Sequence, residues 1–104
     1  MVFRVGYLPF GIAGVTLCKG IILVRKDAPG SLIAHERVHE SEWTPLWLIR
    51  YLLSPVFRMK AEVRAYTVQA YLEGVSVTNY YTTIRDFYWL NTRAKKQLSA
   101  LLLG

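Results

Sequence analysis

One cysteine and two histidines set the first limits on this chain. Cys18 alone rules out an intramolecular disulfide, and with it the stapled scaffolds of small secreted domains. With only His35 and His39 available, a three-histidine metal site is excluded as well. Long apolar runs are also missing. The longest, Trp43 to Phe57, is broken by Pro45, Arg50 and Pro55 and is too short to cross a bilayer. The apolar stretch after Arg4 has the flavour of a signal peptide. Pro9, Gly11 and Gly14 interrupt it, however, and no small-residue cleavage site precedes Lys19. A cytoplasmic chain without a transmembrane segment is expected.

Acid is scarce too: Asp+Glu number 7 against 13 Lys+Arg, for a net charge of +6. The bases are scattered, and only Arg93, Lys95 and Lys96 cluster. Such a distribution reads as a solvated basic surface, and no nucleic-acid recognition motif accompanies it. What the chain does have is apolar material. Hydrophobic residues make up 53% of it and aromatics 13%, enough to pack an interior and to exclude disorder. A length of 104 residues gives one domain, 1–104. Core burial alone leaves such a domain marginal, and a bound metal would help to hold it.

The local signals predict an α+β fold, a short N-terminal β-hairpin or small sheet followed by four to five helices. Residues 2–11 read as a strand and a turn. Residues 12–18 and 21–25 read as a hairpin around Lys19-Gly20, with Ile21 to Arg25 the strongest strand. Pro29, with Asp27 or Ser31 able to cap, starts a helix over about 29–42. Thr44-Pro45 opens a second helix, 45–53, which is apolar almost all round and therefore expected to be buried. Ser54-Pro55 opens a third, running to about Glu73 with Gly74 as its stop. A fourth is expected over 79–90 and a last one after Asn91, with Leu98, Leu101 and Leu102 on one face.

The first helix carries His35-Glu36-Arg37-Val38-His39. Residues i and i+4 lie on one helix face, so both imidazoles can reach a metal about 2 Å away. Glu36 is offset around the helix, which puts its carboxylate beside a water on that metal rather than on the metal itself. The competing reading is an ordinary amphipathic helix with one partly buried and one surface histidine. Arg37 and Glu40 are unusual inside and beside such a motif and are expected to point to solvent. A catalytic zinc also needs a third protein ligand. Cys18, Asp27, Glu40, Glu42, Glu62, Glu73 and Asp86 are the candidates. Glu40 and Glu42 have the wrong angles on the first helix, and Asp27 precedes it. Glu62 sits in the first half of the third helix, which the second helix would let fold back antiparallel to the first.

The run S-L-I-A-H-E-R-V-H-E-S-E-W, the apolar helix after it and then F-R-M-K-A-E-V-R-A-Y resemble the minimal gluzincins. These are very small zinc metallopeptidase-like proteins of prokaryotes and their phages. The resemblance spans about residues 15–72, including the strand I-I-L-V-R, which in such proteins is an edge strand above the cleft. It implies a minimal zincin-like scaffold, zinc held by His35, His39 and Glu62, and Glu36 as general base. Where larger gluzincins have an acid four residues after the ligand glutamate to orient a histidine, this chain has Tyr66. The Tyr66 hydroxyl or a backbone carbonyl is expected to replace it.

The chemistry so implied is zinc-assisted hydrolysis of a peptide or protein substrate. Ile21 to Arg25 would align that substrate as an added strand. Tyr66, Tyr80, Tyr81, Tyr88, Arg58 and Arg64 are candidates to stabilise the oxyanion, with Tyr66 preferred because it shares a helix face with Glu62. Two other classes compete: a non-catalytic or latent zinc-stabilised interaction module, and a basic peripheral membrane or nucleic-acid binder.

Overall fold

The computed structural model describes residues 1–104, the side chain of Phe10 apart. Strands β1 (Val2–Val5), β2 (Gly14–Cys18) and β3 (Ile21–Arg25) are followed by helices α1 (Gly30–Glu42), α2 (Pro45–Leu53), α3 (Pro55–Glu73), α4 (Tyr81–Phe87) and α5 (Thr92–Leu102). Helix accounts for 63% of residues and strand for 14%, the α+β class expected.

The sheet order is β1-β3-β2, with β1 parallel and β2 antiparallel to β3. The expected hairpin forms: Gly20 takes φ +94° at its turn, a conformation that favours glycine. The strand expected at the edge, Ile21–Arg25, is instead central. Its alternating Ile22 and Val24 are fully buried against Leu32 and Ile33 of α1. Both edges of β3 are paired, so it cannot accept a substrate strand. The edge beside α1 belongs to β2.

Cap chemistry sets most helix boundaries. Thr44 accepts from Trp47 N at 3.0 Å, Ser54 from Phe57 N at 3.2 Å and Asn91 from Ala94 N at 2.9 Å. Gly74 ends α3 with φ +73°. The exceptions are α4, whose N-cap Tyr80 gives no side-chain cap, and α1, whose N-cap is Pro29, likewise without one, in place of Asp27 or Ser31. The predicted fourth helix is split into a 3-10 turn at Val77–Tyr80 and the short α4, and the chain then turns through Trp89 at φ +53°.

Contacts along α1 and α3 run in opposite senses: Ser31 meets Glu73, His35 meets Tyr66 and His39 meets Glu62. The two helices are therefore antiparallel, as expected. On its other side α3 packs Met59 and Tyr66 against Ile84, Leu90, Ala94 and Leu98 of the C-terminal segment. Helix α2 departs from expectation, because none of its residues is buried. Nine residues at a corner cannot hide an all-round apolar surface, and only one side meets α3.

Arg58 locks that corner. It is buried, and its guanidinium donates to the carbonyls of Tyr51 (2.8 Å), Leu52 (3.2 Å), Tyr88 (2.7 Å) and Trp89 (2.8 Å). A single planar fork thus closes the orphan carbonyls at the end of α2 onto the turn after α4. Arg58→Lys offers a point charge without that fork and should leave buried carbonyls unpaired. We expect a loss of about 2 kcal/mol or more in urea unfolding. A change below about 0.5 kcal/mol would show that the corner does not depend on this clamp.

Candidate metal centre

His35 and His39 lie on the face of α1 that meets α3, and both are buried, at 1% and 5% exposure. Burial of both removes the reading in which one of them is a surface residue. Between them sits Glu62, itself 2% exposed. Its Oε1 lies 3.1 Å from His35 Nε2 and 3.1 Å from His39 Nε2. Two ligands about 2 Å from one metal at tetrahedral angles stand about 3.3 Å apart, so this spacing suits a shared cation. The three donor atoms lie within 4.8 Å of one another. Two imidazoles and a carboxylate are also a known catalytic-zinc donor set, and the residues present fit such a metal. Of the alternative third ligands, Glu40, Glu42, Glu73 and Asp86 are bonded elsewhere: to Gly20 N, Arg64, Tyr80 and Arg85. Asp27 is exposed, and neither it nor Cys18 joins the cluster.

Glu62 has a partner that sequence reasoning missed. The Tyr51 hydroxyl donates to its Oε2, which also lies 3.1 Å from His39 Nε2. The signal was thin, since Tyr51 reads as one more aromatic on an apolar helix. Burial alone would raise the Glu62 pKa. Hydrogen bonds and charge from His35 and His39 outweigh it and hold the group down to about 2. For His39, burial opposes protonation, but the hydrogen bond to Glu62 wins and its pKa is raised. Burial pushes the Tyr51 hydroxyl well above its usual range, with the Glu62 charge adding to it.

Tyr66 does not orient a histidine by hydrogen bonding, contrary to expectation. Its ring packs edge-on against His35, with centroids 4.3 Å apart, and its hydroxyl pairs with that of Tyr88 at 2.8 Å. Among the described residues neither His35 Nδ1 nor His39 Nδ1 has a hydrogen-bond partner. Packing holds the rings instead: His39 lies 5.7 Å from Trp47 and 6.0 Å from Tyr51 by ring centroids.

Glu36 is 5% exposed, and its Oε2 lies 3.7 Å from His35 Nε2. Burial raises its pKa, and the two neighbouring histidines only partly oppose this. The Thr16 hydroxyl on β2 lies 2.9 Å from the Glu36 carbonyl and 3.0 Å from Oε1, a second contact the sequence did not announce. Gly14 permits it, because a Cβ there would stand 3.2 Å from Val24 Cγ1 and 3.4 Å from Glu36 Cγ. Arg37 points outward as expected, whereas Glu40 turns back to accept from Gly20 N at 2.9 Å.

These groups open onto a cavity of about 510 Å³ walled by β2 from Gly14 to Thr16, by Trp47, Leu48 and Tyr51 of α2, and by Tyr66 and Tyr88. Of the six oxyanion candidates only Tyr66 and Tyr88 line it. Arg58 is committed to carbonyls, Arg64 to Glu42, Tyr80 to Glu73, and Tyr81 stacks with Arg85. Compared with protein-family models, with curated proteins and with solved structures, the chain has no significant match in any of the three.

Two outcomes follow from this geometry. Tyr51→Phe removes a proton donor from Glu62 and should weaken zinc binding about 10- to 100-fold in a competition titration; unchanged affinity would mean that the contact does not tune the site. In metal-free protein, the lowered Glu62 pKa contributes stability above pH 4.5 that is lost as pH falls toward about 2. The raised His39 pKa contributes stability below pH 6.5 that is lost as pH rises through the folded value. The raised Glu36 pKa acts in the same alkaline direction, beginning above pH 4.5. The metal-free Tm should therefore peak between pH 4.5 and 6.5. Saturating zinc should remove the alkaline decline, because binding displaces the His39 proton. A metal-free Tm that does not change from pH 4.5 to 8 would contradict this.

Proposed function

We propose that the chain is a zinc-dependent peptidase in which His35, His39 and Glu62 hold the metal and Glu36 is the general base. One observation carries this reading: three buried donors converge on one point, with a fourth, unliganded carboxylate 3.7 Å from the first histidine nitrogen, at the wall of an open cavity. A purely structural metal site would use up its ligands and would need neither the spare carboxylate nor the access.

Zinc, when bound, supplies Lewis acidity toward a carbonyl and toward water. The chain's residues do the rest. Glu36 accepts the proton of the attacking water and passes it to the leaving amide nitrogen. Thr16 fixes one carboxylate oxygen, which leaves Oε2 toward the histidines. Tyr66 is the proposed donor to the developing oxyanion. In the Tyr66–Tyr88 pair one hydroxyl donates to the other; with Tyr88 as donor, the Tyr66 proton is free to face the cavity. The edge of β2, whose Gly14, Val15 and Thr16 line the cavity, is the place where a peptide substrate would pair as an added strand.

A zinc-stabilised, non-catalytic module is the second reading, favoured by the unpartnered Nδ1 atoms, which leave the ligand rings less well anchored than strong zinc sites have them. Glu36→Gln separates the two. It should keep one equivalent of zinc while hydrolysis of an unstructured protein substrate falls at least about a hundredfold. Turnover retained by that variant, or no metal bound to the wild type at any stoichiometry, would sink the peptidase reading.

A further inference from the structure

Helix α2 presents an apolar face that no other part of the chain covers. Leu46, Ile49 and Leu53, spaced i, i+3 and i+7, are 56%, 53% and 78% exposed. Arg50 shares that face and is exposed too, while Trp47 and Tyr51 turn the opposite way, into the cavity wall. The patch continues past the end of the helix. The Arg58 guanidinium reaches the carbonyls of both Leu52 and Trp89, so these two residues are neighbours at the cavity rim. Their side chains are 64% and 80% exposed. Trp89 also holds φ +53°, a left-handed conformation that costs a large side chain energy. With its ring in solvent, packing within the chain does not offset that cost.

Charge complementarity identifies the occupant. Glu40, Glu42 and Asp86 are each in an ion pair with an arginine, Glu73 is hydrogen-bonded to Ser31 and Tyr80, and Glu36 and Glu62 are buried. Among the described residues, Asp27 is left as the carboxylate outside such a contact. Glu73 and Asp27 thus keep surface charges that no cation offsets, but the chain as a whole carries a net charge of +6, and α2 itself has one arginine and no acid. We propose that this face docks on an anionic lipid surface, with α2 lying in the headgroup layer. Leu46, Ile49, Leu53 and Trp89 insert, and Arg50 extends from its apolar stem to lipid phosphates.

A second copy suits the face less well. A helix of 9 residues is about 14 Å long and about 10 Å across, a strip of about 140 Å², well short of the roughly 800 Å² per partner that a stable dimer buries. Pairing would also bring two chains of net charge +6 together. Docking would set the mouth of the cavity at the lipid surface, and it does not rest on the peptidase reading.

Co-sedimentation with vesicles of phosphatidylcholine, with and without phosphatidylglycerol, tests this. Binding is expected to the anionic vesicles and to weaken as salt rises. Ile49→Ser with Leu53→Ser should lower partitioning about tenfold or more, with the circular dichroism spectrum and zinc stoichiometry retained. If that double variant does not fold, brominated lipids decide instead: they should quench wild-type tryptophan emission, and less so in Trp89→Phe. The proposal is overturned by absence of binding to anionic vesicles, by equal binding to neutral ones, or by a folded double variant that binds like wild type. A concentration-dependent dimer lost in that variant, without vesicle binding, would assign the face to a second copy.

Discussion

A buried carboxylate needs protons aimed at it, and Glu62 receives them from three sides. His35 and His39 approach from α1 and Tyr51 from α2, while Glu62 itself stands on α3. Burying that charge without partners would cost several kcal/mol; with them the carboxylate stays ionised, its pKa held near 2. Three helices are thereby pinned at one point. The pin also fixes the antiparallel register of α1 and α3, because only one alignment brings both imidazoles to Glu62 while Ser31 meets Glu73.

The same arrangement accounts for the division of the interior. The sheet packs its buried Ile22 and Val24 onto one side of α1, and the C-terminal helices pack onto the far side of α3. Between these two apolar clusters lies the polar seam of histidines and carboxylates. A cation there would replace the protons that hold Glu62 in metal-free protein, so metal binding and folding draw on the same donors. Glu36 stands apart from this exchange. Thr16 and the close approach at Gly14 hold it to the sheet, with one carboxylate oxygen directed at the histidines.

Much of this was legible along the chain. The i, i+4 spacing of His35 and His39 placed both on one face before any tertiary contact was known, and Thr44, Ser54, Gly74 and Asn91 marked helix ends by local chemistry. Less legible were features decided between elements. Tyr51 looked like another aromatic of an apolar helix, and Thr16 like an ordinary strand residue. Neither carries a local signal, because a hydrogen bond across elements leaves no periodicity behind it.

The H-E-x-x-H segment shows where the division falls. Its two histidines and the offset glutamate follow from helix geometry, a property of adjacent residues, and so the sequence by itself determined them. Glu62 could be named from the sequence only by elimination and resemblance; tertiary structure brings it to the cluster, since it arrives only when α2 turns α3 back along α1. Tertiary structure also decided that β3 is central and β2 the edge, because strand order depends on β1 pairing in parallel with β3, far along the chain. The exposure of α2 was settled in the same way. An apolar helix is buried only where the rest of the fold has surface to offer it, and at this corner α3 covers one side alone.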